Sequence, residues 1–282
     1  MDDEFLADVS AARAERERLH LWWLGQSGFL VQWQGNHLLL DPYLSDALTK
    51  KYAATDKPHT RMTERVVAPE RLNFIDAVTS SHNHTDHLDA DTLRPLLRVN
   101  PTIELIVPEA NRAFVAERLQ VPVEFPRGLD AGEFLQTGVF KIHAVPAAHN
   151  TLERDAQGRH KFLGYVIECG PWKIYHSGDT LRYDGMVERL RRFEIDVALL
   201  PINGDRPERR VAGNLNGREA AALAKEIGAR LVIPCHYEMF EFNTASTEEF
   251  VATAEKLEQP YRVLRCGERW SSGENYLASA TR

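Results

Sequence analysis

Cysteine is scarce in this chain, and so are long apolar runs and excess basic charge. The 3 cysteines, Cys169, Cys235 and Cys266, are too few and too scattered for a disulfide framework or a thiolate zinc site. Buried apolar roles in a reducing compartment are expected for them. Against 41 Asp and Glu there are only 34 Lys and Arg, a net charge of −7, which argues against a nucleic-acid or anionic-membrane partner and favours a small-molecule substrate. No apolar stretch is long enough to span a bilayer, so no membrane insertion is expected. The opening MDDEFLADVS is acidic where a secretory signal would be basic, which makes the cytoplasm the expected location. Linkers, low-complexity segments and short repeats are missing too. What is present is 43% hydrophobic residues, enough for one substantial core. A single domain over residues 1–282 is expected, with residues 1–20 as an N-terminal helix packed on it.

Hydrophobic patterning divides the rest. Phe5, Leu6, Val9, Ala12 and Leu19 recur at roughly helical spacing among charges. Residues 20–40, punctuated by Gly25–Gly28 and Gly35–Asn36, read as three short strands in a meander. From about residue 75, short apolar runs such as IDAVTSS, FKIHAVPAAH, WKIYHSGD and ARLVIPCH alternate with helical stretches at 110–119, 186–193, 218–227 and 248–257. That alternation predicts an α/β layered fold. Polar, irregular stretches at 49–67 and 203–216 are expected to be loops bordering a site.

The ends of those runs carry the chemistry. IDAVTSS leads into His82, FKIHAVPAA into His149, WKIYHSG into Asp179 and ARLVIPC into His236. Within TSSHNHTDHLD, His82, His84, Asp86 and His87 crowd one turn, which is hard to satisfy without a shared cation. Imidazole and carboxylate suit zinc, manganese or iron, and the lack of a nearby cysteine ligand argues against a closed structural zinc site. His20, His37, His59 and His160 are read as surface or hydrogen-bonded side chains, and His143 as structural.

The pattern His82-x-His84-x-Asp86-His87, followed by His149, Asp179 and His236, resembles the metallo-β-lactamase superfamily of metal-dependent hydrolases. WWLGQSG, IDAVTSSHNHTDHLD, IYHSGDT, IDVALLPING and ARLVIPCHYEMF are most similar to its L-ascorbate-6-phosphate lactonase-like branch. The resemblance implies a four-layer αββα sandwich with two divalent metal ions per chain, zinc or manganese with iron also compatible, at one edge between the sheets. It implies that His82, His84 and His149 hold one ion, Asp86, His87 and His236 the other, and that Asp179 bridges them. Asp86 and Asp179 are the carboxylates assigned to catalysis. A hydroxide bridging the ions would attack a small polar lactone or ester, phosphorylated or not.

Substrate contacts are expected from His176, Arg182, Asn203, Arg206, Asn214 and Tyr237, with Arg209 and Arg210 as further anion-binding candidates. His176 has core packing or support of Asp179 as alternatives. Gly178 is expected to allow a tight turn, and Thr180 to cap the following helix. Two other functions stand beside lactone hydrolysis: phosphodiester hydrolysis of a nucleotide or lipid, and a non-catalytic metal-binding recognition or assembly role. Trp-rich and N-terminal segments, read as exposed, are compatible with a homo-oligomer.

Overall fold

The computed structural model describes residues 2–273. Its first half opens with helix α1 (Asp2–Ala12), followed by the antiparallel meander of β1 (His20–Gly25), β2 (Gly28–Trp33) and β3 (Asn36–Leu40). The short helix α2 (Ala47–Tyr52) and a long irregular stretch precede β4 (Ala77–Thr79). Then α3 (Ala90–Val99), β5 (Glu104–Pro108), α4 (Arg112–Leu119) and β6 (Arg127–Leu129) follow, with β4, β5 and β6 parallel to β3.

The second half has the same plan. β7 (Phe134–Thr137), β8 (Phe140–Pro146), β9 (Leu163–Cys169) and β10 (Trp172–His176) run antiparallel. Helix α5 (Met186–Arg191) then leads to β11 (Val197–Pro201), and α6 (Gly217–Ile227) to β12 (Leu231–Cys235), both parallel to β10. Helix α7 (Glu248–Lys256) precedes β13 (Arg269–Ser271), which returns to pair with β1. The result is two sheets, ordered β13-β1-β2-β3-β4-β5-β6 and β12-β11-β10-β9-β8-β7.

Strand alternation explains the layering. In the first sheet Leu21, Trp23, Phe29, Val31, Leu38 and Leu40 enter the cluster shared with β8, β9 and β10, whereas Trp22, Leu24, Leu30 and Leu39 face the opposite way. That outer face is covered by Phe5 and Val9 of α1, Leu93 and Leu96 of α3, and Val115 and Leu119 of α4. The second sheet is covered by α6 through Ala220, Leu223, Ala224 and Ile227. β1, β2, β11 and β12 are thus buried on both faces and read as largely continuous apolar runs, whereas the edge strand β7 alternates exposed Phe134 and Gln136 with buried Leu135 and Thr137. An αββα sandwich is the fold.

Some local expectations change. Helix α1 ends at Ala12 rather than near residue 19, because residues 13–18 supply no large apolar side chain and Leu19, directly before β1, is already tied to the β13 end, its N–H bonded to Ser272 Oγ. Trp22, Trp23, Trp33 and Trp270 are all buried, so the Trp-rich segment offers no exposed surface for self-association. No helix among the described residues is long and apolar enough to cross a membrane.

Candidate metal centre

Five strand ends and one turn meet at a single edge of the sandwich. β3 delivers Asp41, β4 delivers His82 to His87, β8 delivers His149, β10 delivers Asp179 and β12 delivers His236, while the β1–β2 turn brings Gln26 and Ser27. Rigid strands with free loop ends combine a fixed frame with an open mouth.

The potential ligand atoms of His82, His84 and His149 lie within 4.8 Å of one another, and so do those of Asp86, His87 and His236. Asp179 lies between the two groups. Its Oδ1 is 3.3 Å from His87 Nε2, and its Oδ2 is 3.7 Å from His149 Nε2 and 3.6 Å from His236 Nε2. A third grouping, Asp41 with His82 and His87, is equally compact. Asp41 is already occupied, however: Oδ1 accepts from Ser81 N–H at 2.8 Å, and Oδ2 accepts from Ser81 Oγ and lies 2.6 Å from His87 Nδ1. It orients a ring instead.

Two observations fit the first two groups to metal ions. His82 Nε2 is buried within its group without a hydrogen-bond partner, and His87 Nε2 faces the carboxylate of Asp179 at 3.3 Å. The donor set is nitrogen and carboxylate oxygen, and Cys235 packs into the core. The rings are also aimed. His87 Nδ1 is held by Asp41, and His149 Nδ1 donates to Gly213 O at 2.9 Å, so each presents Nε2 to the centre. Gln26 Nε2 lies 3.1 Å from Asp86 Oδ2 and 3.4 Å from His236 Nε2.

Electrostatics separates the two groups. Burial, reinforced by the neighbouring His87 and His84, pushes His82 well below the usual imidazole range. Burial likewise lowers His84. For His87 and His236 burial pulls the same way, but the carboxylates of Asp179 and Asp86 override it and hold both rings above that range. Asp86 and Asp179 are driven down despite burial, chiefly by His87. A cation entering the second group therefore displaces protons.

Backbone geometry at this edge is tight. Gly178 has φ +59°, and a Cβ there would meet Ser81 Cβ at 2.6 Å. His236 itself occupies the left-handed region at φ 62°, a conformation that non-glycine residues adopt mainly where structure over-determines it.

A cavity of about 540 Å³ opens onto the centre. Asp86 and Asp179 are its only acidic lining residues among those described, against Lys51, Lys57, Arg118 and Arg210. Of these cations only Arg210 forms an ion pair among the described residues, with Asp56. Leu48, Tyr52, His59, Phe114 and Phe240 supply apolar and aromatic wall. The loops at 49–67 and 203–216 both reach this mouth.

The expected substrate contacts divide. Arg210 lines the cavity, but Arg182 lies elsewhere, bidentate on Glu226. Arg206 faces a separate depression beside Gly217 and Glu248. Arg209 braces its own loop, donating to Asn203 O at 2.7 Å and Thr244 O at 2.6 Å. Asn203 and Asn214 bond each other at 3.0 Å behind the wall. Tyr237 turns inward, stacked on Trp23 at 4.3 Å with its hydroxyl donating to Leu264 O. His176 is buried, and its Nε2 donates to Ser27 O at 2.9 Å, so it supports the Gln26–Ser27 turn rather than lining the mouth. Thr180 caps no helix: it accepts from Ala148 N–H at 2.9 Å, and the next helix starts at Met186 behind Gly185. His143 pairs with Glu168 at 3.2 Å, away from the centre.

Comparison with known proteins places this arrangement. The Beta-lactamase superfamily domain matches residues 36–237, and the chain belongs to this family, with the metallo-β-lactamase fold of metal-dependent hydrolases. A UPF0173 metal-dependent hydrolase of Caldivirga maquilingensis is 28% identical over 244 residues, 86% of this chain and 93% of that protein. An N-acyl-phosphatidylethanolamine-hydrolyzing phospholipase D 1 of Caenorhabditis elegans is 26% identical over 250 residues, 84% of this chain and 68% of that one. The solved structure of Igni18, a metallo hydrolase from Ignicoccus hospitalis, superposes with a TM-score of 0.66 at 22% identity, covering 92% of this chain and 100% of that chain. The protein is a metal-dependent hydrolase.

Proposed function

We propose that this hydrolase opens a small polar lactone, or cleaves a related ester, that carries an anionic group. Two divalent ions, zinc or manganese, would be held by His82, His84 and His149 and by Asp86, His87 and His236, with Asp179 placed between the two groups. The observation that carries this reading is the convergence of these seven side chains, with His82 Nε2 buried and without a hydrogen-bond partner. Ions bound there supply Lewis acidity and activate water.

The chain's own groups do the rest. Asp41 and the Gly213 carbonyl fix the rings of His87 and His149. Asp86 and Asp179 line the cavity, and His87 beside them keeps both carboxylates ionised despite burial, which suits them to hold cations. The cationic mouth, in a chain of net charge −7, supports an anionic substrate by raising its local concentration. Preference for a lactone rests on the likeness of WWLGQSG and IYHSGDT to the L-ascorbate-6-phosphate lactonase branch. A phosphodiester is the second reading, favoured by the likeness to the worm phospholipase.

Metal-reconstituted protein assayed against sugar lactones, thioesters and phosphodiesters, with bound metal measured on the same sample, separates these. Lactone turnover with about two ions per chain is expected. Turnover of phosphodiesters alone would replace this reading with the second.

A further inference from the structure

We propose that His59 orients the substrate, its Nε2 accepting a hydrogen bond from a substrate hydroxyl. His59 follows α2 and lines the same cavity as Asp86 and His236. Its ring is fixed on several sides: stacked on Tyr52 at 4.6 Å, and edge-on to Phe240 at 5.3 Å and Phe242 at 5.2 Å. The backbone is fixed as well, because Thr49 Oγ1 donates to His59 O at 2.7 Å. Directly after it the chain is stitched to the loop that follows His236, with Met62 N–H on Met239 O at 2.8 Å and Glu241 N–H on Thr60 O at 3.0 Å. The imidazole is therefore held at the mouth by the loop that carries a candidate ligand.

Its polarity has one internal use. Nδ1 lies 2.8 Å from Lys57 O, and a carbonyl can only accept, so Nδ1 carries the proton. In the neutral ring Nε2 is then an acceptor, and it has no partner among the described residues. Burial keeps the ring below the usual imidazole range and, with Lys51 and His236, outweighs the opposing pull of the Lys57 carbonyl and Asp86. A residue needed only to fill this aromatic slot would be phenylalanine, which has no nitrogen to desolvate. A phenylalanine in this part of the cavity wall would lack that acceptor nitrogen.

The inference rests on the proposed hydrolysis of a hydroxylated lactone, and a binding experiment tests it apart from turnover. Metal-reconstituted full chain is titrated calorimetrically with sodium D-gluconate and, as a ligand without hydroxyls, sodium acetate. His59→Phe is expected to weaken gluconate about tenfold, the scale of one net hydrogen bond, while acetate binding and metal content stay unchanged. His59→Gln, which restores a polar atom near Nε2, is expected to recover most of the loss. Unchanged gluconate affinity in His59→Phe, equal weakening of both ligands, or no gluconate binding by the wild type would overturn the inference. Hydroxyl-dependent binding lost in His59→Phe, without lactone turnover by the wild type, would support His59 and overturn only the lactone reading.

Discussion

His87 Nδ1 lies 2.6 Å from Asp41 Oδ2, and both side chains are fully buried. This contact sets which nitrogen His87 turns towards Asp179, and the same carboxylate holds Ser81, whose Oγ is 3.0 Å from His82 Nδ1. One acid thus supports two candidate ligands belonging to different groups. Asn can occupy the left-handed backbone of Asp41, φ 41°, so Asp41→Asn removes the charge without forcing a new turn. Metal affinity is expected to fall by roughly 10–100-fold with the fold retained. Competition against a chelator of known affinity measures it, and unaltered binding of both ions would remove Asp41 from the centre.

Asp179 touches both groups, so its replacement should be more severe than loss of a supporting residue. Asp179→Asn keeps the shape and withdraws the charge that holds His87 and His236 above the usual imidazole range. Turnover is expected to drop at least ~100-fold, the upper end for supporting partners of ligands. The check is kcat on samples with measured metal content. Full activity at full occupancy would exclude a shared carboxylate from the chemistry.

The cationic mouth predicts a charge effect that depends on position. Lys51→Glu combined with Lys57→Glu is expected to lower kcat/KM for an anionic substrate by about tenfold or more, and to flatten its decline with added salt. Arg182→Ala should leave kcat/KM unchanged, because that guanidinium is engaged by Glu226 outside the cavity. An equal loss from both changes would mean that the mouth does not select charge.

The layers and the ligand-type residues were legible because both depend on local pattern: apolar runs, and the polar residues that stop them. Asp41 was not, since one acid after LLL also reads as a turn former. Gln26 was hidden the same way inside GQSG, where glycines dominate the reading. His59 sits in a polar stretch, and its aromatic box with Phe240 and Phe242 comes from a segment about 180 residues later, beyond the reach of any periodicity. Arg182 and Tyr237 misled for the opposite reason. Each follows a candidate ligand closely, but the chain turns at Gly178 and again at His236 and Glu238, so neighbours in sequence face away. Helix α3 carries Pro95 in its interior, which obscured it, yet Asp89 caps it by accepting from Asp91 N–H at 3.1 Å.

His37 gives a prediction independent of the metal centre. It is buried in β3, its Nε2 donating to Gln32 Oε1 at 2.9 Å, its ring edge-on to Phe74 at 4.8 Å, and Arg13 over that same Phe74. Burial first, then Arg13, pushes its pKa down to about 3. In the unfolded chain an imidazole titrates near ~6.5. Between these values the unfolded state binds a proton that the native state excludes, so stability falls as pH drops below about 6.5 and this contribution levels off once pH is below the folded value. His37→Gln removes the titration and can still bond Gln32. Relative to the variant, wild type is expected to lose about 1.4 kcal/mol per pH unit below that onset. Comparing the two proteins by urea unfolding at pH 7.5, 6 and 5 cancels the shared pH dependence of metal binding. A stability difference that stays constant from pH 7.5 to 5 would show that His37 is not held neutral by its burial.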